Sequence, residues 1–219
     1  MSERSGPLAD DPFGGRRPTS HERTTGQPWD ASYHGGPAPW DTGRPQPAVV
    51  RVAAAGGFTG AVLDVGCGTG ENALYLASTG LPVLGVDVAD TALAIARDKA
   101  TDRGIEARFE DVDALRLSRV GRRFTTVLDC GLFHTFDREE QQRYLASLAA
   151  VIERDGVLIL LCFSDVAPGT GPHPVGRDEL RAAFDSGGWR VVSVEPERIQ
   201  TRFHGDEGAP AWLATAAPS

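Results

Sequence analysis

Cysteine is scarce in this 219-residue sequence, long apolar runs are missing, and positive charge is in deficit. The three cysteines, Cys67, Cys130 and Cys162, are odd in number and far apart. That excludes a disulfide framework and fits a reducing compartment. No two of them have metal-ligand spacing, and the histidines at 21, 34, 134, 173 and 204 are equally scattered, so no metal centre is expected. The longest fully apolar run, Val157 to Phe163, falls well short of the roughly 20 residues that cross a bilayer. The N-terminus has no apolar leader segment, and a cytoplasmic location without membrane contact is the expectation. Lys and Arg number 22 against 30 Asp and Glu, a net charge of −8. No basic surface is left to neutralise a phosphate backbone, so nucleic acid is not expected as a partner. What is present is 41% hydrophobic and 24% charged residues, enough for one full-sized core, with or without a tail.

Residues 1–27 are rich in Gly, Pro, Ser, Thr and mixed charge. With almost nothing large and apolar to bury they are expected to form a disordered tail. Residues 28–45 differ in kind: Trp29, Tyr33 and Trp40 sit among Gly and Pro that block regular structure. Such aromatics must pack elsewhere, either as plugs on a domain surface or as a lid over a ligand. Residues 46–219 then alternate between helical and strand signals. A short helix over 47–55 precedes strands at 61–64, 82–87, 107–110, 124–129 and 157–163. Helices are expected over 70–78, 91–103 and 138–154, the second with Asp90 as N-cap and the third opened by an Asp137/Glu140 capping box. A Gly/Pro loop, a helix over 177–185, and strands at 189–195 and 211–216 complete the chain. The pattern specifies an α/β fold: a doubly wound, seven-stranded, mostly parallel sheet with helices on both faces. Ligands of such sheets lie outside the carboxyl ends of the strands.

Those ends carry the informative residues. Strand one runs Val62-Leu63-Asp64-Val65 into Gly66-Cys67-Gly68-Thr69-Gly70, and the next helix opens with Glu71 and Asn72. Alternate glycines let a backbone come within contact distance of a ligand. A dinucleotide fingerprint would want glycine at 71; Glu71 and Asp64 together predict a ligand carrying positive charge rather than a pyrophosphate. Asp87, followed by Val88, is placed to accept both hydroxyls of a ribose. Glu110, Asp111 and Asp113, the last followed by Ala114, can reach an adenine amino group, and the sequence leaves open which one does. Strand four leads through Asp129 and Cys130 to Phe133 and His134. His134 is the leading general base and Asp165, after strand five, the second, although His134 could equally pack and Asp165 could equally shape a turn. His173 and His204 are further base candidates, and Arg44, Arg202 and Trp212 could line a pocket. Cys67 and Cys130 have no cation beside them to make them nucleophilic.

In this order and spacing the motifs resemble the class I S-adenosylmethionine-dependent methyltransferases over residues 46–217. Asp64 to Gly70 match the E/D-x-G-x-G-x-G signature of that family, Asp87 its ribose acid, Asp113-Ala114 its adenine site and Asp129 its fourth motif. Ala38 to Pro45, Leu128 to Phe136 and Leu161 to Asp165 are similar to the small-molecule thiol, thiopurine and thiocyanate methyltransferases. The resemblance implies S-adenosylmethionine as cofactor, held by Asp64, Gly66, Cys67, Gly68, Gly70, Asn72, Asp87, Val88, Asp113, Ala114, Asp129 and Trp40. It also implies a small-molecule acceptor bound by Tyr33, Trp40, Phe133 and His134, with thiol sulfur as the expected methyl acceptor and oxygen or nitrogen as the alternative. An NAD-type oxidoreductase and a non-catalytic nucleotide-binding protein are the remoter readings. Oligomeric state is left open.

Overall fold

In the computed structural model, which describes residues 11–166 and 173–219, the chain forms a seven-stranded sheet. Its strands are β1 (Val62–Val65), β2 (Val83–Asp87), β3 (Arg108–Asp111), β4 (Phe124–Cys130), β5 (Ile152–Phe163), β6 (Trp189–Ile199) and β7 (Ala209–Pro218), in the order β3-β2-β1-β4-β5-β7-β6. The first five run parallel, and β7 inserts antiparallel between β5 and β6. The order reverses direction at β1 and β4, whose carboxyl ends therefore flank an open crevice. Helices α2 (Pro47–Ala54), α3 (Glu71–Ser78) and α4 (Asp90–Arg103) accompany the first half, and α5 (Arg138–Val151) and α6 (Arg177–Ser186) the second. Apolar cores lie on both faces of the sheet: Val49, Leu74, Leu93 and Phe109 on one, Leu63, Tyr144, Leu148, Phe184 and Trp189 on the other. Among the described residues no helix is long and apolar enough to cross a membrane.

Three expectations about local structure are corrected. Asp90 is the first residue of α4 and not its cap; the preceding Ala89 offers no side chain for capping. The helix start is satisfied from elsewhere: Asp87 Oδ1 accepts from the Val88 and Ala89 N–H groups (2.8 and 3.0 Å), and Asp30 Oδ1 accepts from Thr91 N–H at 2.7 Å. Helix α5 keeps its Asp137/Glu140 capping box but ends at Val151, because Ile152 is extended (φ −87°, ψ 144°) and pairs with Phe124 as the first residue of β5. The ladder between β4 and β5 then shifts register before Thr126 meets Val157.

The third correction concerns the expected tail. Residues 1–10 lie outside the described residues, but 11–27 are ordered. Helix α1 (Ser20–Thr25) has a complete Thr19/Glu22 capping box and a left-handed Gly26 at its end. It docks through polar contacts: Ser20 N–H and Arg23 Nη1 both donate to the Glu140 carboxylate at 2.9 Å, and Ser20 Oγ donates to the Thr135 carbonyl at 3.1 Å. Glu22 is fully buried, with Arg16 as its ion partner and the Thr19 and Trp29 N–H groups as donors. A composition argument that counts only apolar residues does not register such an anchor. Further on, the Gln46 side chain donates to the Gln200 carbonyl and accepts from the Gln200 N–H, both at 2.8 Å, and Arg202 N–H donates to the Pro39 carbonyl at 2.8 Å. Residues 11–46 are thereby strapped across the carboxyl ends of the strands.

Candidate functional site

One cavity of about 530 Å³ opens at that end of the sheet, a volume in the usual range for small-molecule sites. Its floor is the glycine loop after β1, its sides are the ends of β2, β3 and β4, and its roof is the N-terminal strap with the loop between β6 and β7.

The glycines are needed for two separate reasons. Gly66 and Gly68 have φ of +69° and +53°, and both line the cavity; a Cβ on Gly68 would stand 3.0 Å from the Tyr33 hydroxyl. Gly70 has φ +81° but faces away: a Cβ there would meet Ala96 and the Phe109 ring at 2.9 Å. Gly70 therefore serves the packing of α3 on its neighbours and does not line the cavity, which corrects its expected role in holding a ligand. Gly68 N–H donates to Asp87 Oδ2 at 2.8 Å. Asp87 thus ties the glycine loop to the start of α4 while lining the cavity itself. Burial raises its carboxyl above the usual range although three N–H groups oppose that shift.

Asp64 and Asp129 lie beneath the floor, 1% and 0% exposed, and neither lines the cavity. Burial and the neighbouring Asp129 and Asp87 charges push Asp64 up to about 7; burial pushes Asp129 to about 7. Asp129 is held by the N–H groups of Leu132 and Phe133 (2.9 and 3.0 Å), whereas Asp64 Oδ2 is buried without a hydrogen-bond partner among the described residues. Glu71 departs from expectation. Its carboxylate is clamped by Arg103 at 2.8 and 2.9 Å and by Lys99 at 2.8 Å. Against the opposing effect of burial, these cations keep it below the usual carboxylate range. Glu71 therefore adds no free negative charge to the loop, and the attraction for a cation rests on Asp64, Asp87 and Asp129.

Of the three acids at and just beyond the end of β3, Asp113 lines the cavity, flanked by Val112 and Ala114, and Glu110 and Asp111, the last two residues of the strand, do not. Asp113 caps the following 3₁₀ turn through Leu115 N–H at 2.9 Å. Cys67, Asn72 and Val88 line the cavity as expected. Asn72 Oδ1 accepts from Gln46 N–H at 2.9 Å and so joins α3 to the strap. The Cys67 and Cys130 thiols are raised by burial first and nearby carboxylates second, which suits packing and not nucleophilic attack.

The strap contributes Tyr33 and Trp40 together: Trp40 Nε1 donates to the Tyr33 hydroxyl at 2.9 Å with the rings edge to face, and Trp29 packs against Trp40 at 5.6 Å. Signals that the sequence reading passed over are Arg16, Thr19 and His21, which also line the cavity. The Thr19-x-x-Glu22 pattern marks a helix start, and only the buried Arg16–Glu22 pair turns that helix into part of the roof.

On the acceptor side, His134 lines the cavity and is 4% exposed. Its Nδ1 accepts from the Phe163 N–H at 3.3 Å, which leaves the ring proton on Nε2. Burial, with smaller contributions from His173 and His21, pulls its pKa down to about 3. As a proton acceptor it is therefore very weak, contrary to expectation. Phe133 does not reach the cavity: it is fully buried and stacks on Phe184 at 6.4 Å. Asp165 is exposed and outside the cavity, its Oδ2 next to Gly176 at the start of α6. His173 is exposed and also outside, Trp212 is buried and donates to the Val175 carbonyl, and Arg202 contributes its backbone rather than its side chain; Arg44 and His204 do line the cavity.

Residues 62–156 match a family described as a methyltransferase domain. The 2-heptyl-1-hydroxyquinolin-4(1H)-one methyltransferase of Mycobacteroides abscessus is 36% identical over 177 residues, covering 78% of each chain. The chain belongs to the class I S-adenosylmethionine-dependent methyltransferases. A solved structure described by the conversion of a disulfide bond into a thioacetal group during echinomycin biosynthesis is 36% identical to this methyltransferase. It has a TM-score of 0.78 and covers 87% of this chain and 91% of its own. The magnesium protoporphyrin IX methyltransferase of Synechocystis PCC 6803, solved with bound SAM, shares the fold at a TM-score of 0.61 and 24% identity, covering 78% of this chain and 76% of its own. The methyltransferase uses S-adenosylmethionine and acts on small molecules.

Proposed function

We propose that the protein methylates a sulfur that reaches the cavity as a thiolate, by in-line displacement on the sulfonium methyl group. The carrying observation is the state of His134: neutral, with Nδ1 already occupied by the Phe163 N–H and a pKa of about 3. Asp165, the other base candidate, lies outside the cavity. An acceptor with its own ionisation in the neutral range matches a wall so equipped, and a thiol of pKa about 8.5 is a few per cent thiolate at pH 7. His134 Nε2–H then serves as a hydrogen-bond donor that orients the acceptor. With no base to align, the reaction depends on positioning, which can be worth about 7–11 kcal/mol.

The residues fit the cofactor. Gly66 and Gly68 line the cavity at positive φ, where a Cβ would press on Leu132 and on the Tyr33 hydroxyl, Asp87 offers a carboxylate to paired hydroxyls, and Val112, Asp113 and Ala114 line the cavity as well. Beneath, the unpartnered Asp64 Oδ2 and Asp129 supply negative potential for a cationic group. We assign Tyr33 and Trp40 to the lid, in keeping with the aromatic contacts between them. When bound, S-adenosylmethionine supplies the electrophilic methyl group; the chain aligns the acceptor and excludes water.

A second reading, transfer to an acidic hydroxyl, is favoured by the 36% identity to a hydroxyquinolone methyltransferase. The sulfur reading is favoured by the equally similar structure associated with disulfide-to-thioacetal conversion. Initial rates with methyl-labelled S-adenosylmethionine on matched arylthiol, hydroxyquinolone and arylamine acceptors decide between them. Turnover of a hydroxyquinolone with none on any thiol would overturn the sulfur assignment.

A further inference from the structure

Resting on the reading that this cavity takes the methyl acceptor, we infer that the acceptor has an uncharged aromatic body and an apolar arm that leaves the cavity across Phe203. This makes Phe203 a specificity-determining residue. Besides the glycine loop and the acids, the cavity is lined by Phe136, Phe163 and Ile199 with the imidazoles of His134 and His204, and by Leu132, whose side chain lies against Gly66. Its rings form a continuous surface: His134 and Phe163 have centroids 4.4 Å apart, and Phe163 and His204 6.3 Å apart. A planar aromatic body matches such a surface by stacking or edge contact.

Charge narrows the class further. Each cation lining the cavity has a carboxylate partner among the described residues: Arg16 pairs with buried Glu22, and Arg44 is drawn outward to Asp206. The remaining charged groups at the glycine-loop end are acids. A small inorganic anion such as thiocyanate finds no unpaired cation there, and a carboxylated thiol would meet like charge.

The mouth indicates the arm. Only four large apolar side chains are prominently exposed among the described residues, and two of them, Trp40 (39%) and Phe203 (79%), line this one cavity. Phe203 sits on the loop between β6 and β7. The loop is fixed by Phe203 N–H to Thr201 Oγ1 (3.2 Å), by Thr201 Oγ1 with His204 Nδ1 (2.7 Å), and by Arg202 N–H to the Pro39 carbonyl (2.8 Å). That last bond ties the two aromatic lips together. A phenyl ring displayed on an anchored loop at a cavity mouth is stabilised when an apolar ligand covers it.

The test is a series of 4-alkyl thiophenols with arms from methyl to heptyl, and the matching hydroxyl compounds, on the full chain. Binding is measured by calorimetry with S-adenosylhomocysteine present, and turnover separately. Affinity should tighten by up to about fourfold for each methylene buried. Phe203→Ala should weaken the heptyl compound about tenfold, mainly through KM, with a much smaller effect on the methyl compound, and Phe203→Leu should restore most of the loss. Chain-length-dependent binding without turnover of the thiols would remove the sulfur reading and leave this one standing. Equal affinity across the series, no effect of Phe203→Ala, or preferred turnover of thiocyanate would overturn it. Phe203 is exposed, so loss through misfolding does not confuse the outcome.

Discussion

The Trp40 indole nitrogen donates to the Tyr33 hydroxyl at 2.9 Å, and that same oxygen stands where any side chain on Gly68 would have to go. One hydroxyl thus connects the strap to the glycine loop. Tyr33→Phe removes the acceptor and leaves the indole N–H unpaired, a loss of about 0.5–1.5 kcal/mol. We predict a threefold to tenfold rise in the Kd of S-adenosylhomocysteine, measured by calorimetry, with the melting temperature nearly unchanged. Gly68→Val, which adds both a clash and a β-branched residue at positive φ, should abolish cofactor binding.

His134 yields a prediction about pH. A wall group with a pKa of about 3 stays neutral throughout the working range, so the rise of kcat/KM with pH should follow the pKa of the acceptor. Measured over a set of arylthiols of graded acidity, the inflection should move with the thiol. An inflection fixed between pH 6 and 7 for every acceptor, and lost in His134→Gln, would assign the imidazole as base after all.

The carboxylates under the floor make stability depend on pH. Asp64 and Asp129 have native pKa values of about 7, raised above the roughly 3.9 of an unfolded Asp. Between those values the native state holds more protons than the unfolded one, so this pair's contribution falls as pH rises from about 4 to about 7 and is level above. Asp129→Asn should therefore lose stability relative to the parent at pH 5 and lose less at pH 8, read as melting temperatures of the cofactor-free protein. A gap between parent and variant that is the same at both pH values would refute the assignment.

Much of this was legible in the sequence, and what was not has physical reasons. All seven strands and the helices between them follow from apolar periodicity and turn residues; β1, β2, β4 and the second half of β5 are buried on both faces, whereas the edge strand β3 exposes three of its four residues. Asp87, Gly66, Gly68 and Asp113 were readable because strand ends define where a ligand lies in this fold. Glu71 misled because its charge is cancelled by Lys99 and Arg103, one helix away and invisible as a pair in the chain. Phe133 and His134 are adjacent in sequence, yet the 3₁₀ turn over 133–135 sends one ring into the core and the other into the cavity. Only the first part of the strap, residues 11–27, was misread, because it is held by the buried Arg16–Glu22 pair and by polar contacts to Glu140; residues 28–45 carry their aromatic signal openly, and Tyr33 and Ala38 pack on Ala89 and Ala92.

That strap gives a further prediction. Arg16→Ala leaves the fully buried Glu22 without its ion partner, a change that costs about 3–5 kcal/mol where the charge stays buried. Residues 11–46 contribute no strand to the sheet, so the loss should appear locally. Hydrogen exchange over residues 19–33 should speed up, and cofactor affinity should drop at least tenfold, with the strands still protected. Unchanged exchange in that stretch would detach Arg16 from any role in the roof.

The reaction we propose for this cavity is methyl transfer from S-adenosylmethionine to the sulfur of an apolar aryl acceptor. Incubation of the purified protein with methyl-labelled S-adenosylmethionine and 4-heptylthiophenol, followed by mass analysis, tests it most directly. An aryl methyl thioether carrying the label is expected, with S-adenosylhomocysteine released in equal amount. Labelled product confined to hydroxyl acceptors, or no labelled small molecule at all, would contradict it.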